Sequence, residues 1–160
     1  MPTRRVADLL LLLTCALLLP GLGGADEGLR QRVEQLRAAG STQVAGARLA
    51  DGRVLDDFYA VRGYRFAWGD RRRVETLARL AERSSEDGLN PRDFHDKALR
   101  ELLAGPGLDR LSGRAREDAD VLLSEILLRL IHHYRYGKVD PQALDSTWNH
   151  AEGPYSGDLV

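Results

Sequence analysis

The sequence predicts an all-α domain, an orthogonally or irregularly packed bundle of about five or six helices. Three observations predict it. First, Ala119, Leu122, Leu123, Ile126, Leu127, Leu130, Ile131 and Tyr134 follow the i, i+3, i+4, i+7 spacing of a single helix face across residues 115–136. Second, glycines and Asx-Pro pairs recur where helices should stop and start: Gly88, Asn90-Pro91, Gly105-Pro106-Gly107, Gly137 and Asp140-Pro141. Third, no alternating strand pattern of useful length, no internal repeat and no low-complexity segment is visible.

Taken in order, Leu29, Val33 and Leu36 mark a first helix over about 27–38. Residues 40–52 read as a loop with room for a short extended piece. Leu55, Phe58 and Tyr59, with Arg62 one turn on, mark a helix over about 53–62. Val74, Leu77, Ala78 and Ala81 mark the next, over about 71–85, which Gly88 ends. Asn90-Pro91 then opens a helix with Asn as N-cap, Pro at N1 and Asp93 at N3, and Phe94, Ala98, Leu99, Leu102 and Leu103 form its inner side. Arg116, Glu117, Asp120 and Arg129 fall mostly off the apolar stripe of the long helix, and Gly137 closes it with Arg135 in the last turn. Asp140-Pro141 restarts a short helix. The expected core is Leu77, Phe94, Leu99, Leu122, Leu123, Ile126, Leu127, Leu130 and Ile131, joined by Phe58 and Trp68.

The N-terminus reads as a secretory signal over residues 1–25. Arg4 and Arg5 form a positive region, Leu9–Leu19 a short apolar core, and Gly23-Gly24-Ala25 a small-residue cleavage site before Asp26. The apolar run is about half the roughly 20 residues that span a bilayer, so no stable transmembrane anchor is expected. Cys15 follows Thr14 inside that apolar core, which argues against lipidation, and it is the only cysteine. Without it there is no disulfide, and stability must come from packing. Residues 26–150 are long enough for one domain with one core. Residues 151–160 are polar and read as a tail or the start of a linker. The net charge of −1 gives no basic face for nucleic acid.

The candidate chemistry is thin. His132 and His133 are adjacent on a helix and point about 100° apart, so they do not make a zinc pair. Glu86-Asp87 and Asp56-Asp57 are sequence neighbours, not carboxylates facing each other across a cleft, and read as caps or solvated surface. None of Ser84, Ser85, Ser112, Ser124, Ser146 and Ser156 lies in a serine-hydrolase motif. No glycine-rich phosphate loop lies beyond the export segment. The triplet Arg71-Arg72-Arg73 reads as a solvated first turn, with contact to an anionic polymer or headgroup as the alternative. No catalytic residue, metal ligand or cofactor is expected. The aromatic run Phe58, Tyr59, Tyr64, Phe66 and Trp68 beside Arg62 and Arg65 could stack on sugar rings or form a core. Phe58 and Trp68 read as core; Tyr59 and Tyr64 stay open between the two.

The segment Phe58-Tyr59-x-x-Arg62-x-Tyr64-x-x-x-Trp68, then Asp87-Gly88-Leu89-Asn90-Pro91 with Phe94, then Gly137-Lys138-Val139-Asp140-Pro141 with Trp148, resembles the N-terminal scaffold domain of the large YcbB-like L,D-transpeptidases of Gram-negative bacteria. The resemblance covers residues 40–150. It implies a periplasmic helical domain beside a machinery that forms 3→3 cross-links between peptidoglycan stem peptides. In that family a C-terminal domain carries the cysteine nucleophile, in a Ser-x-Gly-Cys core with a histidine nearby. No such motif occurs in this chain, so no catalytic residue carries over and the chain is expected not to be an enzyme. The resemblance thus implies a non-catalytic scaffold or interaction domain whose partner is peptidoglycan or a cell-wall synthesis enzyme. The alternative is a free-standing periplasmic binding module that uses Tyr59, Arg62, Tyr64 and Arg65 as its surface.

Overall fold

The computed structural model describes residues 26–39, 43–49 and 51–137. The expected signal segment with Cys15, the expected helix restart at Asp140-Pro141, Trp148 and the expected tail 151–160 lie outside the described residues.

Among the described residues, five α-helices and one short hairpin form an irregular all-α bundle, as the periodicity predicts. Helix α1 spans Glu27–Ala39 and buries Leu29, Val33 and Leu36. Asp26 accepts from the Leu29 N–H at 2.8 Å and so caps it. The expected loop contains β1 (Gln43–Val44) and β2 (Ala47–Arg48), paired antiparallel with Val44 opposite Ala47. Ala45 and Gly46 both take positive φ, the requirement of the tight turn that matches strand twist. The hairpin turns Val44, Ala47 and Leu49 inward as a patch on the core.

Helix α2 (Gly52–Val61) starts at Asp51, which accepts from Arg53 N–H at 2.7 Å. It crosses α1 closely at Gly52: a Cβ added there would lie 2.7 Å from the Leu36 carbonyl oxygen and 2.9 Å from the Arg37 backbone. Gly52→Ala is therefore expected to cost about 1–3 kcal/mol, because backbone and not a flexible side chain would have to move. Urea denaturation checks this, and an unchanged midpoint would show that the helix pair slides apart freely.

Helix α3 (Arg71–Arg83) is capped by Asp70 and runs into a 3-10 turn at Ser84–Asp87. Gly88, at φ 82°, ends it: Leu89 N–H reaches the Ser84 carbonyl at 3.1 Å and Gly88 N–H the Ser85 carbonyl at 3.2 Å. These are the two reverse bonds of a Schellman C-cap. The single helix expected from Asn90 is split. Asn90 caps a 3-10 turn, Pro91–Phe94; His95 takes a left-handed conformation; and α4 (Asp96–Ala104) follows. Phe94 is wholly buried edge-on to the His133 ring, 5.5 Å away, and α4 packs on α3. A continuous helix does not serve both contacts, and the turn at His95 separates them.

Helix α5 (Gly113–Tyr136) is the axis of the domain and ends at Gly137, whose N–H bonds the His133 carbonyl. All the expected core residues are buried except Ile131, which is part-exposed. The stripe expected on α5 is too narrow, however. Asp120, Ser124 and Glu125 are also sealed from solvent, as are Arg129, His132 and His133 nearly so. A helix packed by α1, α2, α3 and the hairpin on several sides has little face left for water. No described helix is long and apolar enough to cross a membrane.

Candidate functional site

The motif-bearing segment 58–70 is held by a buried polar latch. On α5, Asp120 and Ser124 are one turn apart and face the same neighbour. The Asp120 carboxyl accepts from the Tyr59 hydroxyl at 2.8 Å, the Ala67 N–H at 2.9 Å and the Trp68 N–H at 3.0 Å. Arg116 adds a fourth donor at 3.3 Å. Ser124 Oγ meets the Tyr59 hydroxyl at 2.8 Å and accepts from the Trp68 indole N–H at 3.0 Å. Arg116 also donates to the Trp68 carbonyl and lies over the Phe66 ring at 4.4 Å. The irregular stretch between α2 and α3 has no ladder partners of its own, and α5 supplies them from side chains. Burial pushes the Asp120 carboxyl up, against the pull of its donors. Burial and the neighbouring Asp120 push the Tyr59 phenol well above its usual range. Ser124 is bonded to a phenol and an indole, with no base in its hydrogen-bond set. The arrangement fixes a loop; it does not activate a nucleophile.

The four expected binding residues divide. Tyr59 is fully buried as part of the latch, which corrects its placement on a binding surface. Arg62 is buried too, with its guanidinium over the Phe58 ring. Tyr64 is part-exposed; its hydroxyl donates to Asp56 at 2.8 Å, and Arg30 sits over its ring at 5.4 Å. Arg65 is part-exposed as well. Asp56, expected as a cap or solvated surface, is buried and bridges Tyr64 to Arg37 at 2.6 Å; the cap is Asp51. Asp87, expected beside the C-cap glycine, also receives the Tyr134 hydroxyl at 2.7 Å. Within the Arg71–Arg73 triplet, Arg71 pairs with Glu75 and donates to the Leu103 carbonyl at 3.0 Å, which ties α3 to the end of α4.

Sequence reasoning missed Asp120, Ser124 and Arg116. Their i, i+4 and i, i−4 spacing was legible, but nothing in a single sequence says that the polar side of a helix will be covered. Among the described residues no cluster of His, Cys, Asp and Glu could hold a metal ion.

A second polar cluster sits under the hairpin. Arg129 pairs with Glu125 at 2.6 Å and donates to the Arg48 carbonyl at 3.2 Å. Burial, reinforced by the Arg129 charge, pulls the His95 pKa down to about 4. An unfolded histidine takes its proton near 6.5, so between these values the unfolded chain binds the extra proton. Stability is therefore full above about pH 6.5 and falls as pH drops toward 4, by about 2 kcal/mol after allowance for partial exposure. His95→Asn, which keeps a residue tolerant of the left-handed conformation, is expected to flatten this slope in denaturation curves at pH 7 and pH 5. An unchanged slope would place the titration elsewhere.

Residues 53–156 match the model of the family described as the scaffold domain, well over half of the chain. No curated protein and no solved structure matches it. The matched span runs from the first turn of α2, through the latch, past the end of α5, and takes in all three motif groups quoted above. The chain belongs to the scaffold-domain family, consistent with the scaffold domain of the L,D-transpeptidases.

Proposed function

We propose that this domain serves L,D-transpeptidase-type cross-linking and remodelling of peptidoglycan in the periplasm, as a rigid module that positions a catalytic partner and has no chemistry of its own. The observation that carries this reading is the family match over residues 53–156. The latch supports it: α5 spends buried polar groups on holding the 62–70 loop in one shape, as a docking platform requires. The signal-like N-terminus supports export.

The test combines three measurements. Fractionation should place the protein in the periplasm with residues 1–25 removed. The purified protein should leave muropeptides unchanged yet co-purify with a catalytic L,D-transpeptidase. Deletion of its gene should lower the share of 3→3 cross-links. A change in muropeptides made by the purified protein, or an unaltered cross-link profile on deletion, would overturn the reading. The part-exposed Tyr64 and Arg65 favour a second reading, direct binding to the wall. It predicts retention on purified sacculi that Tyr64→Ala abolishes.

A further inference from the structure

The loop between α2 and α3 contains an unmet positive charge. Arg62 is only 9 % exposed, yet its Nε and Nη1 have no hydrogen-bond partner among the described residues. Its Nη2 donates to the Phe66 carbonyl at 3.3 Å, and its Cζ lies 5.7 Å from the Phe58 ring centroid. Arg65 Nε is buried and unpartnered in the same way. Arg73, in the first turn of α3, is close enough for its charge to act on Arg62. The acid whose charge acts on Arg62, Asp120, already serves four donors. Burial lowers the Arg62 pKa, and the charges of Arg73 and Arg65 add to that effect. Elsewhere the domain pairs its buried guanidiniums: Arg32 with Asp118 at 2.6 Å and Arg129 with Glu125 at 2.6 Å. Leaving buried N–H groups of a cation without acceptors is costly, so further acceptors are expected to come from outside.

We infer that Arg62 and Arg65, with Arg73 beside them, form a receptor for one small oxyanion, a carboxylate or a phosphate group. Guanidinium favours both, since its N–H groups are fixed in a plane that matches their oxygens. The part-exposed Arg65 and Arg73 are the entry side, and Arg62 is the buried floor. The latch at Ala67 and Trp68 anchors the C-terminal side of this loop, which preorganises the receptor. The inference does not depend on the cell-wall assignment.

The test is a titration of the full chain, followed through its arginine Nε–H signals by NMR at matched ionic strength. Inorganic phosphate and N-acetylalanine are the two probes; sodium chloride and the neutral N-acetylalanine methylamide are the controls. Saturable shifts of the Arg62 and Arg65 signals are expected with at least one probe and with neither control. The tighter probe tells whether phosphate or carboxylate is the natural group. Arg65→Gln and Arg73→Gln, both at part-exposed positions, should each weaken binding about tenfold, while Arg110→Gln on the separate turn at Leu108–Arg110 should not. Shifts reproduced by chloride, the absence of saturation, or full affinity in Arg65→Gln would overturn the proposal.

Discussion

Asp120→Ala is expected to destabilise the domain by about 3–5 kcal/mol, a large part of the roughly 5–15 kcal/mol that holds a domain of this size together. The carboxyl is wholly buried and receives the Tyr59 hydroxyl, the Ala67 and Trp68 N–H groups and Arg116. The substitution leaves these donors in place and removes their acceptor. Each buried N–H then costs its own desolvation, and Arg116 loses its partner. Asp120→Asn keeps one acceptor oxygen and should cost less, about 2 kcal/mol. Urea denaturation measures both. A loss below about 1 kcal/mol for the alanine variant would mean that packing alone holds the loop.

Trp68→Ala is the second large effect, expected at about 3–5 kcal/mol. Trp68 is among the largest fully buried side chains, and its indole N–H bonds Ser124 Oγ at 3.0 Å. Truncation opens a cavity between the loop and α5 and takes away that donor. Far-UV circular dichroism is the suitable probe, since one of only two tryptophans is lost. The double variant with Asp120→Ala should cost less than the sum of the two, because both release the same loop. Strict additivity would show that the side-chain and backbone halves of the latch act independently.

Much of the fold was legible because it rests on local chemistry. The 3.6-residue spacing of Leu122, Leu123, Ile126, Leu127 and Leu130 announces α5 whatever surrounds it. Gly88 and Gly137 announce the ends of their elements, since each stands at a positive φ that other residues avoid. The motif groups led to the scaffold-domain family without any knowledge of contacts. Less was legible of the candidate site. The aromatic and arginine segment was visible, but Tyr59 and Tyr64 could not be assigned to core or surface. The structure buries the first and leaves the second half-exposed on Asp56.

The sequence by itself determined most of the helices, several of their ends and the family, because periodicity, capping and turn conformations depend on residues within a few positions of one another. Tertiary structure alone decided which polar residues are enclosed. Asp120 lies 52 and 53 residues from the Trp68 and Ala67 N–H groups it accepts, and Arg129 lies 81 from the Arg48 carbonyl it meets. The same bringing-together of distant elements breaks the helix after Phe94 and leaves the Nε and Nη1 of Arg62 buried without an acceptor. Whether a polar side chain faces water or a partner depends on what packs over it, and that is a property of the assembled bundle, not of its neighbours along the chain.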